Sequence, residues 1–320
     1  MELSDALPAF IPDPPDLNRV HTEHRLALPF NAGIFRVNPF VRALATYASD
    51  SAYAGGDFQG SENRSGVGAG ATISTTFARS FNAESKLLDL NRLRHIVIPY
   101  AGIETLSVSG ADSADFLQLD AVDAIDSGTT FRAGLRQRLQ TKRLYQDRWR
   151  SVNWAELDVA YVNRSSDSVM TSLDEDYIQA DFELLLTDHI SLHSQDNRLG
   201  LDDQPDVYNV GLAVNYLPDW RVGLDYDRIT DINSTLTLDL TYKLSDRYKL
   251  LLYEQYELDS RGAQDKTNLE TVFVIRRLLH EWVLDLGIHI EESNDETAFV
   301  FGFGPAGWGA FTDLRRAGRR

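Results

Sequence analysis

The chain has 320 residues, no Cys, and a net charge of −17 from 48 acidic and 31 basic residues. This excludes a disulfide framework, a Cys-based metal site and thiol chemistry, and it argues against a general nucleic-acid binder, whose surface is usually basic. Hydrophobic residues make up 43%, yet no apolar run approaches the ~18 residues of a membrane-crossing helix; the strands of a membrane barrel need only ~9–11 residues and alternate instead.

The start, Met1-Glu2-Leu3-Ser4-Asp5, carries neither a basic n-region nor an apolar h-region. Residues 1–23, with Pro8, Pro12, Pro14 and Pro15, read as an extended leader. Residues 24–306 then keep one character, and 307–320 form a basic tail with Arg315, Arg316, Arg319 and Arg320.

Over 24–306 the dominant signal is period two. Phe35, Val37, Val41, Ala43, Ala45 and Tyr47 alternate with Arg36, Asn38, Phe40, Arg42, Leu44 and Thr46. Val67, Ala69, Ala71 and Ile73 alternate with Gly68, Gly70, Thr72 and Ser74. Phe131, Ala133, Leu135 and Leu139 oppose Arg132, Arg136 and Arg138. Two hairpins follow, one turning at Leu217-Pro218-Asp219 and one at Ser245-Asp246-Arg247. Trp282, Leu284, Leu286, Ile288 and Ile290, then Phe299, Phe301 and Phe303, close the pattern. The alternation separates roughly 14 strands of about 8–14 residues and hardly any helix. Short turns at 217–219, 245–247 and 292–296 contrast with long polar connections at 49–65, 109–128, 164–175, 195–206 and 258–267. Aromatics gather at strand ends, including Tyr47, Tyr216, Trp220, Tyr242 and Trp282.

The fold expected is all-β, an antiparallel transmembrane β-barrel. Alternation alone does not separate a lipid-facing barrel from a soluble sandwich. Three features favour lipid: strands longer than the ~5–6 residues usual in soluble sheets, too many strands for one sandwich, and full charges in mid-strand (Arg136, Asp181, Glu183, Asp225, Asp239, Asp285) that suit a wet interior. Such a barrel belongs in the cell outer membrane of a Gram-negative-type bacterium. Because no export signal opens the chain, the expectation is the later part of a barrel more readily than a complete one.

Candidate chemistry is sparse. Asp188, His189 and His193 form a close His grouping; on one strand the two imidazoles stand about 13 Å apart, too far for one metal. Ser191 sits in no nucleophile motif. Gly66, Gly68 and Gly70 lie inside a strand and open no helix, so a close backbone approach explains them better than a phosphate loop. Neither catalysis, a cofactor nor a metal site is expected. Arg132, Arg136, Arg138 and Lys142 are read as sharing one strand face. Two readings of them stand: a cationic ladder guiding phosphorylated or acidic sugars along a substrate path, or pairing with Glu156 and Asp158 on the next strand. The acidic stretch Asp112, Asp115, Asp120, Asp123, Asp126 is read as a solvated loop, with divalent-cation binding as the alternative.

Several stretches also carry a resemblance. Gly33 to Val41 is followed by Ala45-Thr46-Tyr47; Arg94 to Tyr100 holds His95 and Pro99; Asp123 and Asp126 lead into Gly134-Leu135-Arg136-Gln137-Arg138-Leu139; Trp282 precedes Phe299 to Gly304 and Gly307. In order and spacing these resemble the C-terminal barrel of the lipopolysaccharide-assembly protein LptD (the organic solvent tolerance family), over about residues 25–310. The resemblance implies a non-enzymatic outer-membrane protein that inserts lipopolysaccharide into the outer leaflet. It implies an LptE-like plug lipoprotein, periplasmic bridge proteins and outer-membrane lipids as partners, and no nucleic acid. In that family the sugar passes through the lumen and the lipid leaves by a seam between first and last strands. The chain departs from the pattern in lacking a counterpart of the family's jellyroll and early strands, in having Leu279-His280-Glu281 where Cys is expected, and in its basic tail. A general outer-membrane porin or diffusion channel is the alternative.

Overall fold

The structure is a computed structural model. It describes residues 18–49, 53–54, 57–58, 61–111, 113, 122–145, 147–166, 175–201, 205–215, 219–260, 267–292 and 296–306. The strands are β1 (Arg19–Ala27), β2 (Phe30–Ala32), β3 (Phe35–Ala48), β4 (Tyr53–Ala54), β5 (Asp57–Phe58), β6 (Glu62–Ser74), β7 (Phe77–Ser85), β8 (Leu90–Gly110), β9 (Gly128–Tyr145) and β10 (Arg148–Ser166). They continue as β11 (Glu175–Leu185), β12 (Ile190–Gly200), β13 (Val207–Val214), β14 (Trp220–Ile229), β15 (Asn233–Lys243), β16 (Tyr248–Ser260), β17 (Thr267–Leu278), β18 (Trp282–Glu291) and β19 (Glu296–Pro305).

The all-β antiparallel class expected from the alternation is the class observed. Among the described residues seventeen strands share one sheet, and β4 pairs with β5 in a separate ribbon. Seventeen exceeds the roughly 14 that alternation separates, in part because long passes of the chain are broken. β3 pairs with both β1 and β2, so β2 continues β1 across Leu28-Pro29. Pro29 has no N–H to give the ladder. The last residues of the expected leader are already strand, since β1 starts at Arg19. The rest of that leader, the turn residues Tyr216 to Pro218 and the basic tail lie outside the described residues.

The chain divides into two compact units. Unit 1 comprises Met1–Ile73, Ala101–Arg132 and Asn163–Asp174; unit 2 comprises Ser74–Tyr100, Ala133–Val162 and Glu175–Arg320. In unit 1, β1 and β3 pair from Arg19↔Ala48 to Ala27↔Phe40. One face of this pair shows Val20, Leu26, Val41 and Tyr47 to the surroundings, while Phe40, Leu44 and Ala48 are buried on the other. Glycines on β6 make that burial possible. A Cβ at Gly70 would come within 2.5 Å of the Phe40 ring, and one at Gly66 within 3.2 Å of Leu44 Cγ. The close backbone approach expected at these glycines is therefore present.

In unit 2, β11 to β19 follow one another as antiparallel neighbours. The register lines Trp220, Tyr242, Leu250, Ile275, Leu286 and Phe301 across six strands, and Val222, Leu240, Leu252, Phe273, Ile288 and Phe299 beside them. This apolar face is exposed: Phe273 40%, Ile288 40%, Leu286 50%, Phe301 67% and Phe299 89%. The buried residues lie on the opposite face and are largely polar, among them Asp225, Thr237 and Asp285, with a small cluster of Tyr253, Val272 and Val274. A soluble sheet has the reverse arrangement. On β18 the apolar stripe from Trp282 to Ile290 covers eight residue intervals, about 26 Å at ~3.3 Å per residue, close to the ~25 Å apolar band of outer-membrane barrels. At the short-turn end of that face Trp220 lies 4.2 Å from Tyr242, and Trp282 stacks on Phe303 at 4.9 Å.

Candidate functional site

The basic residues singled out in the sequence divide between different environments. In unit 2, Arg136 donates through Nε (3.0 Å) and Nη2 (2.6 Å) to Asp158 Oδ2. Asp158 also accepts the Tyr100 hydroxyl at 2.6 Å. Gly134 gives Tyr100 its place: a Cβ there would stand 2.7 Å from the tyrosine Cζ. Arg138 makes the parallel two-point contact with Glu156, at 3.1 and 2.7 Å, and Glu156 accepts from Asn153 at 3.1 Å. The pairing reading of these two arginines is thus what the geometry holds. Charge-assisted two-point contacts of this kind fix both partners in orientation.

Lys142 does not share the face of Arg136 and Arg138. Thr141 and Arg143 are buried whereas Lys142 is exposed beside Leu144, itself 56% exposed. The phase of burial slips by one residue between Arg138 and Thr141, and a one-residue slip exchanges the faces of everything beyond it. Lys142 therefore leaves the ladder for the apolar side. Arg132 belongs to unit 1, where it is half-buried.

Sequence reasoning missed Arg143. Only 2% exposed, it pairs with Asp89 at 2.8 Å and Asp188 at 3.0 Å, and donates to the carbonyls of Leu185 (2.7 Å) and Leu186 (3.0 Å). Thr141 receives the Asn91 N–H at 2.8 Å nearby, and Trp154 donates to the Leu88 carbonyl at 3.1 Å. Asp188 is thus a structural anchor. His189 and His193 are not brought together: His193 Nε2 lies 2.9 Å from Asp225 Oδ1, while His189 is exposed in the turn before β12. Farther along the polar face Arg276 holds buried Asp285 by two contacts of 2.7 and 2.8 Å, and His289 faces Glu270 at 3.0 Å. Among the described residues no group of three or more His, Asp or Glu is arranged to hold a metal ion.

In unit 1, Arg42 lies between Glu23 (3.0 Å) and Glu104 (3.1 Å), and the Arg25 guanidinium stacks over Phe40 at 3.6 Å. The acidic stretch is represented by Asp123 and Asp126; Asp112, Asp115 and Asp120 lie outside the described residues. Asp123 is not a solvated loop residue. It is 1% exposed and ion-paired with Arg19. Asp126 accepts from the Ser113 N–H at 3.1 Å and hydroxyl at 2.6 Å. Nothing in an alternation pattern marks these residues, because their burial depends on a connection folding back over the strands.

No protein-family model matches the chain, and no curated protein matches it. Among solved structures, CdiB from Acinetobacter baumannii is similar with a TM-score of 0.36 and 10% identity, over 89% of this chain and 50% of that one. The chain thus spans half the length of that neighbour. A likeness of this size carries no argument about function.

Proposed function

We propose that the chain is the β-barrel part of a bacterial outer-membrane transport protein. In the finer reading it inserts lipopolysaccharide into the outer leaflet in the manner of the LptD family, with a plug lipoprotein and periplasmic bridge proteins as partners and no enzymatic activity. The observation that carries the membrane reading is the inverted sheet of unit 2: its broad face of exposed Leu, Ile and Phe backs onto buried ion pairs such as Arg276–Asp285. Apolar surface of that extent is favourable against lipid and costly against water. The lipopolysaccharide reading rests on the motif resemblance, to which the paired arginines add a chemical rationale. Arg136 keeps 45% of its side chain exposed while paired, so a sugar phosphate can compete for it.

The deciding experiment has two stages. Heat-modifiable mobility of the protein extracted from membranes tests the barrel; recovery from the soluble fraction without detergent rejects it. Depletion followed by surface labelling of lipopolysaccharide then tests the cargo. A purified barrel that forms a large, constitutively open pore in planar bilayers and whose loss leaves surface lipopolysaccharide unchanged is a porin instead.

A further inference from the structure

Arg64, on β6, is 2% exposed. It points to the same face as Gly66 and Gly70, away from exposed Val67. Its guanidinium donates to three backbone carbonyls of one short segment: Val122 at 2.6 Å, Ile125 at 2.7 Å and Asp123 at 3.2 Å. A side chain rarely captures three carbonyls within four residues unless the segment has folded onto it. The surroundings fix the same arrangement. Asp123 is ion-paired with Arg19 of β1, Ala111 packs on Ala48 of β3, and the Ala111 N–H donates to the Asn63 carbonyl at 3.1 Å. Gly110, with φ at +101°, turns the end of β8 back across β6. Other residues rarely adopt that conformation. Ser127 then re-enters the sheet by accepting the Val108 N–H at 2.8 Å.

We propose that residues 122–126 form a latched cap on the face of unit 1 that carries Arg64, with Arg64 as the latch, and that this cap restricts the passage of water-borne solutes along that face. The inference rests on the barrel reading above, in which that face borders water. A buried guanidinium stripped of its carbonyl partners is poorly tolerated, so the closed state is the resting state. Removing the guanidinium deprives the segment of three hydrogen bonds at once and frees it from the strands.

The test uses the full chain in proteoliposomes, first checked for heat-modifiable mobility, so that failure to insert counts against the barrel reading and not against the latch. A protease that cuts after acidic residues reads the state of Asp123, and planar-bilayer conductance reads passage. With Arg64→Ala, cleavage at Asp123 is expected to quicken at least tenfold and unit conductance to rise at least twofold. Arg19→Gln removes the Asp123 ion pair and leaves the carbonyl contacts of Arg64 in place. It is expected to produce a smaller change in the same direction, and it serves if Arg64→Ala does not assemble. Inserted variants with unchanged cleavage overturn the latch; faster cleavage with unchanged conductance overturns the cap.

Discussion

Two sets of arginines in this chain do opposite things with similar partners. Arg64 and Arg143 are almost wholly buried at strand ends; each spends donors on backbone carbonyls of a connecting segment, and Arg143 also pairs with two carboxylates. Arg136 and Arg138 sit in mid-strand, each gripping one carboxylate while 45% and 30% of the side chain stays exposed. The first kind fixes where the chain turns. The second kind stays within reach of whatever borders the polar face. Burial together with partner type, and not charge, separates a structural cation from one available to a ligand.

That contrast breaks most readily at the buried sites. Arg143→Ala removes the partner of Asp89 and Asp188 and the donor to two carbonyls. About 1–3 kcal/mol of destabilisation is expected from the carbonyls left without their donor, since Asp89 and Asp188 stay partly exposed to water, measured by denaturant titration of the refolded protein. Asp285→Ala strands the nearly buried Arg276 on the polar face of β17 and should cost more, about 3–5 kcal/mol. If either variant unfolds within ~1 kcal/mol of the parent, the buried pairs are not what holds the strand ends. Next comes the apolar face: Leu286→Arg, in the middle of the exposed stripe, is expected to cost roughly 2–4 kcal/mol in a bilayer and far less in a soluble sheet. The same titration in bilayers and in a lipid-free buffer distinguishes the two.

The mid-strand pair gives a smaller and more specific effect. Reversing Arg136 alone sets two like charges at Asp158, so assembly suffers along with function. Exchanging the pair, Arg136→Asp with Asp158→Arg, keeps the attraction and moves the cation to β10. Surface lipopolysaccharide is expected to fall severalfold with denaturant stability nearly unchanged. Normal delivery in that exchange variant reduces the ladder to pairing alone. Smallest of all is the turn pair Lys243–Asp246, at 2.5 Å, with the Asp246 carboxylate open to solvent. Hydrogen bonding to Lys243 holds the Asp246 carboxyl below its ordinary range. Its contribution is therefore present above the usual carboxylate value and lost as pH falls through the lowered one. Screening leaves Asp246→Asn indistinguishable from the parent in a neutral-pH melt.

Much of this fold is legible in the sequence wherever alternation runs unbroken. The hairpins of β13 to β16 and the stripe of β18 follow directly from period two. Legibility fails where the phase slips. Residues 195–206 read as a long loop, yet β12 runs to Gly200 with its register broken between His193 and Arg198, and Asp196 takes a left-handed φ of 57° there. A bulge of this kind disrupts the pattern without ending the strand. On β9 it is the burial pattern that departs from strict alternation, with Thr141 and Arg143 buried and Lys142 exposed, which is why Lys142 leaves the expected face. Pairing of Arg136 and Arg138 was foreseeable because neighbouring strands carry complementary charges at matching spacing. The burial of Arg64, Asp123 and Arg143 was not, because it depends on contacts with segments remote in sequence.

Arg143 bears on the order in which unit 2 assembles. Its two carboxylate partners, Asp89 and Asp188, stand about a hundred residues apart along the chain. Bringing such distant points together is entropically slow. Each contact closes a loop of about fifty residues, so one guanidinium ties β9 to the β7–β8 turn and to the β11–β12 turn, and that corner is complete only when all three are in place.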